Sequence, residues 1–456
     1  MTPPQLPLLT HKGAQATHAY EDIFDVAGTS VARLSLAPKL LISQTLKHQK
    51  QGRPVPSSER ERLLKVASEA FLREALGGVT FEDHCHLVSS VSGHSHATTR
   101  QLNAAVAHQM LTATERAQQA RPQGSRPEHT QKPHSTGLWI RRGDTVGAVL
   151  AGNSPAIQNG WLQALALGFR VAVRPSRREP FTAYRAVDAL RHAGFQATDV
   201  TYLPTSRDVA QEILHRADLG LTYGDQDVLA KYQDDQSVKV GGPGRSKTLI
   251  RTSALQDASV ALEAAFAVST NSGTACVNTS GLFVEGDHRT FARMIGAELH
   301  SQHERLLIQG QHLGPRVDQD TANSFVDVLR RVHPESSRSS YEDLITPHPD
   351  GGVILAPPVI AVEDPSHPAV NLELPFPSVT VAPWTPEHWI TPLKDSLVVS
   401  VYGEEDDELI DELLHEESVK NVYVNTPTTY TDGLLPHEDY VGNFLMRNKA
   451  FAWRKP

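Results

Sequence analysis

Cysteine is nearly missing from this chain of 456 residues, which holds only Cys85 and Cys276. Two cysteines cannot build a disulfide framework, and that fits a reducing compartment. Long apolar runs are missing as well. No stretch reaches the roughly 18–20 uninterrupted apolar residues of a spanning helix. The opening MTPPQLPLLTHKG has no basic segment followed by an apolar run, so no signal peptide is expected. An excess of positive charge is also absent. The 43 Lys and Arg face 52 Asp and Glu, a formal charge of −9, which argues against nucleic acid as an electrostatic partner. A chain of this length is too long for one core. The expectation is a soluble, cytoplasmic, multidomain protein without a membrane span.

Residues 1–55 show little periodicity. A helix then begins, with Ser58 and Glu61 as a capping-box pair, apolar Leu63, Leu64, Ala67, Ala70 and Phe71 at helical spacing, and Gly77 as the stop. A second helix carries Leu102, Val106, Met110 and Ala113 on one face. The polar, Pro-rich RPQGSRPEHTQKPHS (121–135) reads as an exposed linker. From residue 145 the texture changes to short apolar strands alternating with helices: strands at 145–153, 170–176, 199–206, 219–224 and 237–242, with helices at 156–168, 181–194, 207–216 and 226–232 between them. That alternation predicts a doubly wound parallel sheet, whose ligands bind at the carboxyl ends of the strands. Asn153, Arg174–Arg177, Gly224–Asp225 and Gly241–Gly242 fall at those ends. A second, less regular α/β run fills 245–425, including the acidic EEDDELIDELLHEES, read as a solvated helix face.

Cys276 lies in NSGTACVNTSG, among small and polar residues and not among the apolar neighbours of a packed core cysteine. The setting suits a nucleophile on a tight turn, where small residues let backbone come close to a substrate. Two other features carry less. HCH (84–86) and HSH (94–96) bring Cys85 and several histidines close in sequence, without the spacing of a zinc ligand set, so no metal is expected. VGGPG lacks the rest of a phosphate-loop or dinucleotide fingerprint.

The segments GAVLAGNSPAIQNGWLQALALGFRVAVRPS, TYGD (222–225), VKVGGPGRSKTLI, NSGTAC and LELPFPSV (372–379) occur in the order and at the spacing of the aldehyde dehydrogenase superfamily, which the chain resembles over roughly 140–425. The resemblance implies an α/β fold with a doubly wound cofactor domain, an α/β catalytic domain and a small oligomerisation element. It divides the chain into an N-terminal helical segment (1–135), a dinucleotide-binding domain (136–244), a catalytic domain (245–425) and a C-terminal segment (426–456), whose NKAFAWRKP is a candidate edge strand for a homodimer or homotetramer. By the same resemblance Cys276 is the nucleophile, Asn153 supplies an oxyanion-hole amide, and Glu373 grips the nicotinamide ribose. Arg174, Ser176, Arg177, Gly224, Asp225 and Val240 complete the implied cofactor site.

Three departures from the family pattern shape the functional expectation. Lys239 stands where hydrolytic members carry the glutamate that activates water, and a lysine near its usual pKa of about 10 is no general base. The ribose-clamping glutamate is replaced by Arg177 in RPSR, which suits a 2′-phosphate and favours NADP(H) over NAD(H). The Pro-Phe-Gly-Gly segment is replaced by NTPTTYTDGLLPHEDYVGNF (425–444), and the aromatic near the nicotinamide shifts to Phe376. The leading expectation is therefore NADPH-dependent reduction of an acyl thioester, on CoA or a carrier protein, to an aldehyde through a Cys276 acyl-enzyme. The alternatives are a hydrolytic aldehyde dehydrogenase, an acyl-phosphate reductase and a non-catalytic family member.

Overall fold

The computed structural model describes residues 3–126, 135–333, 341–404 and 406–452. The expected parallel sheet is present. Its five strands, Thr145–Val149, Arg170–Arg174, Val200–Tyr202, Leu219–Tyr223 and Val238–Gly241, all pair in parallel. From the Thr145–Val149 strand the sheet grows one way through Arg170–Arg174 and the other way through Leu219–Tyr223. That reversal makes the crevice above these strands the place where a ligand of such a sheet sits. Helices Ser57–Arg73, His96–Gln118, Asn159–Ala166 and Phe181–Ala193 share one core with one face of the sheet, around Phe71, Trp161, Phe169 and Tyr202. Lys39–Gln51 and Ala210–Arg216 cover the other face around Leu46 and Ile213.

The N-terminal stretch is more ordered than its weak periodicity suggests. Leu8–Thr10 and Gly13–Gln15 form a hairpin that extends the parallel sheet, antiparallel to Val200–Tyr202 through Leu9 and Tyr202. Strands this short leave too few residues for a period of two to show. The Ser57–Arg73 helix departs from its expected ends. Pro56 occupies the cap without a side-chain hydrogen bond, so Ser58 and Glu61 form no capping box, and the helix closes at Arg73 before Gly77, whose φ of +58° serves the following turn.

A second sheet of six parallel strands runs in the order Val359–Ala361, Val379–Pro383, Thr279–Val284, Ser246–Ile250, Ser396–Tyr402, Val419–Val424. Its core includes Leu249, Phe283, Val399 and Trp384. The acidic segment yields the helix Asp407–His415, solvated except for buried Leu409 and Leu413, with Asp406 accepting a hydrogen bond from Leu409 N. The C-terminal strand Met446–Ala452 pairs antiparallel with Ser135–Arg141 of the same chain. Residues 127–134 of the expected linker and 453–456 of the expected edge strand lie outside the described residues.

Candidate active site

The turn that carries Cys276, the expected nucleophile, is built from backbone strain and close approach. After helix Ala258–Ser269 the chain passes through Asn271 (φ 52°), Ser272 (φ 60°) and Gly273 (φ 66°), three left-handed residues in a row. Small and amide side chains tolerate that region best, and each non-glycine there costs about 1–3 kcal/mol. The strain is held by what surrounds it. Asn278 accepts from Ala275 N at 2.8 Å and donates to Ala267 O at 2.8 Å and Thr270 O at 3.0 Å. Ser246 Oγ donates to Cys276 O at 2.9 Å. Gly244 packs so tightly that a Cβ there would fall 1.9 Å from Cys276 O. The turn therefore presents a half-buried Cys276 at the amino end of strand Thr279–Val284.

That amino end faces the carboxyl ends of the first sheet across a cleft of about 660 Å³. Most residues expected at the site line it: Cys276, Asn153, Glu373, Arg174, Ser176, Arg177 and Gly224. Asn153 Nδ2 donates to Thr274 O at 3.1 Å, which ties the amide to the nucleophile turn and leaves its second N–H for another acceptor. Glu373 Oε1 accepts from Arg245 N at 2.7 Å, and burial raises the pKa of its carboxyl. At the far end Arg174 is buried, with Nη2 donating to Thr205 O at 3.2 Å and Nε unpartnered. Arg178 and Arg207 join it on the lining, and Arg177 is ion-paired with Glu21. Two expected residues serve the scaffold. Asp225 caps helix Gln226–Tyr232 by accepting from Val228 N, and Val240 packs beside Leu214, Tyr232 and Val238. Phe376 is buried and stacked on Phe325, with centroids 5.5 Å apart.

Sequence reasoning missed a residue that touches the sulfur. His437 Nε2 lies 3.2 Å from Cys276 Sγ. It belongs to the segment that replaces the family's Pro-Phe-Gly-Gly motif, so the departure itself was the available signal. Asn421 Nδ2 donates to the His437 carbonyl, and the neighbouring Glu438 accepts from Gly242 N at 3.0 Å. These contacts pin the segment to both sheets. As a residue His437 is exposed to solvent. Loss of hydration lowers its pKa, but the charge and hydrogen bond of Cys276 together with the Glu438 carboxylate push it up to about 9, against the repulsion of Lys239. The site thus brings together a cysteine thiol, an amide donor and an imidazole in contact with the sulfur.

The two histidine-rich motifs divide between inside and outside. His84 is buried and bonded to Asn103 Oδ1 at 2.9 Å, Cys85 is buried, and His94 is buried. His86 and His96 stack outside at 4.0 Å and meet Glu82, with His96 Nε2 3.2 Å from Glu82 Oε1. These three groups have ligand atoms within 4.8 Å of one another, closer than the sequence spacing suggested, but Arg100 Nε stands 3.5 Å from the same carboxylate.

Residues 33–437 match the Aldehyde dehydrogenase family, most of the chain. The chain belongs to the aldehyde dehydrogenase family. Among solved structures, it is similar to the aldehyde dehydrogenase KauB from Pseudomonas aeruginosa, at TM-score 0.80 and 16% identity, over 98% of this chain and 96% of that one. It is similar to aldehyde dehydrogenase 21 from Physcomitrella patens, solved with the reaction product succinate, at TM-score 0.80 and 14% identity over 100% and 99% of the two chains. It is similar too to the P. syringae indole-3-acetaldehyde dehydrogenase AldA, solved with NAD+ and IAA, at TM-score 0.80 and 16% identity over 98% and 96%. At these identities the likeness establishes the aldehyde dehydrogenase fold. No curated protein matches the chain by sequence.

Proposed function

We propose that this aldehyde dehydrogenase family member oxidises an aldehyde to a carboxylic acid with NAD(P)+, through a thioester on Cys276. The observation that carries the reading is the single cleft that joins Cys276 and Asn153 at one end to Glu373 and the arginines at the other. Its volume suits a nucleotide cofactor, and the unpartnered Arg174 Nε gives that end an unused donor. A bound nicotinamide would accept the hydride leaving the aldehyde carbon, while Glu373 and the arginines would hold the cofactor's ribose and phosphates.

The chain's own residues account for the rest. The Cys276 sulfur adds to the aldehyde carbonyl carbon, and the second Asn153 N–H meets the negative charge developing on oxygen. Once hydride has left, the carbon is a thioester of Cys276. Water then adds to that carbon, the C–S bond breaks, and the sulfur recovers a proton as the acid departs.

This order of preference reverses the expectation drawn from sequence. Thioester reduction came first there because no general base was found, and His437 in contact with the sulfur supplies a candidate for one. One observation still supports the thioester reading: the position on strand Val238–Gly241 is indeed Lys239, close enough to repel a charged His437. We further infer a preference for NADP(H), because four arginines line the cofactor end and, among the described residues, Arg177 is the only one of the four that is ion-paired, with Glu21. A homodimer or homotetramer would form through a sheet edge such as Val419–Val424. Among the described residues no helix is long and apolar enough to cross a membrane, and a cytoplasmic home remains part of the proposal.

The test mixes purified protein with a panel of aldehydes and NADP+ or NAD+, without any thiol acceptor, and follows nicotinamide reduction. Turnover that disappears in Cys276→Ala supports the proposal. Turnover that requires added CoA moves the thioester reading to first place.

A further inference from the structure

We propose that His437 is the acid–base residue of this site, taking the proton of the Cys276 thiol and later activating the water that releases the acyl group. The second half of the proposal rests on the aldehyde-oxidation reading; the first half does not. The geometry comes first. His437 Nε2 is 3.2 Å from Sγ, within reach for direct proton transfer. The ring is delivered by a loop tied at two points, through its own carbonyl to Asn421 and through Glu438 to Gly242 N. Gly241 helps make the room: a Cβ there would lie 2.6 Å from the Tyr223 ring and 3.4 Å from Glu438 Oε1. No carboxylate need then reach the sulfur from strand Val238–Gly241, where Lys239 stands.

The charge balance changes as the reaction proceeds. As the sulfur attacks, its proton passes from Sγ to Nε2 over 3.2 Å, which makes His437 an imidazolium. Cys276 and Glu438 favour that imidazolium, Lys239 opposes it, and the neutral phenol of Tyr223 faces both acidic groups. Acylation removes the sulfur's charge and with it one of the two main reasons for His437 to hold its proton. The imidazolium gives its proton to solvent, the proton that aldehyde oxidation releases, and the neutral imidazole then accepts a proton from water as the oxygen attacks the thioester carbon. When the C–S bond breaks, the imidazolium returns its proton to the departing sulfur. Each half-reaction leaves His437 as it found it.

The first arm of the test needs no substrate. Cys276 alkylation by iodoacetamide is followed against pH in the wild type and in His437→Gln. Cys85 does not interfere, being fully buried with its pKa raised to about 11. The wild type should keep reacting well below pH 7. His437→Gln should lose about tenfold per pH unit below an ordinary thiol pKa of about 8.5. Superimposable profiles would overturn the proton-pair half. The second arm follows the pre-steady-state burst of NAD(P)H and the later steady rate with an aldehyde that the wild type oxidises. His437→Gln should deacylate roughly 10²–10⁴-fold more slowly, and imidazole added to His437→Gly should restore part of that rate. Deacylation at the wild-type rate in His437→Gln overturns the base role, as does failure of imidazole to rescue a variant that still binds cofactor. A wild type with the alkylation signature but no burst on any aldehyde overturns the aldehyde reading and leaves the proton pair standing.

Discussion

At the level of single residues, the site divides into groups that act on the substrate and groups that hold them. Asn153 is proposed to do both: one N–H is spent on Thr274 O, and the other is left for a substrate oxygen. Asn153→Ala should lower kcat by roughly 10²–10³, with cofactor affinity nearly unchanged, as steady-state kinetics and nicotinamide fluorescence titration would report. Unaltered kcat would remove Asn153 from the mechanism. Cys276 and Asn153 could be picked out from the sequence because each sits in a short local pattern, NSGTAC and AGNSP. His437 was not. It meets Cys276 across a separation of 161 residues, from a loop with no periodicity and in a chain with 22 histidines. Only the fold brings such a pair together.

At the level of elements, the left-handed run Asn271–Gly273 is kept by its neighbours and not by its own propensity. Asn278 is the main clamp. Its replacement by alanine strands Ala275 N, Ala267 O and Thr270 O, with a cost of about 1–3 kcal/mol for a buried group left unmatched. Asn278→Ala should therefore lower the melting temperature and slow acylation together, measured by calorimetry and by the burst rate. A full-speed burst in a destabilised protein would separate the clamp from catalysis. Gly244→Ala should be harsher, since its Cβ has no room beside Cys276 O. The alternating strands and helices of 145–242 were readable because each is an apolar run closed by a turn residue. The hairpin Leu8–Thr10 with Gly13–Gln15 was not, and the Ser58–Glu61 cap was misread because Pro56 starts that helix.

At the level of the whole molecule, two parallel sheets meet end to end, carboxyl ends against amino ends, and the reaction is placed in the seam. One end of the seam is cationic. Arg177→Glu should weaken NADP+ binding by at least tenfold more than NAD+ binding, because a guanidinium pairs with a 2′-phosphate and a carboxylate repels it. Equal losses for the two cofactors, by titration, would assign Arg177 to its ion pair with Glu21 and to nothing else. The alternation of elements made the parallel sheet legible and the family resemblance the fold, while the family match and the similar structures favour the aldehyde-oxidising alternative over thioester reduction. Lys239 was weighed as the absence of a base, while His437, which meets the sulfur, comes from a segment without the family's Pro-Phe-Gly-Gly motif.

The most direct measurement is a rapid-mix experiment with enzyme, aldehyde and NAD(P)+ and no thiol present. The account predicts a burst of NAD(P)H close to one per Cys276, followed by continued turnover to free acid. A burst that stalls until CoA is added, or no reduced nicotinamide at all, would contradict it.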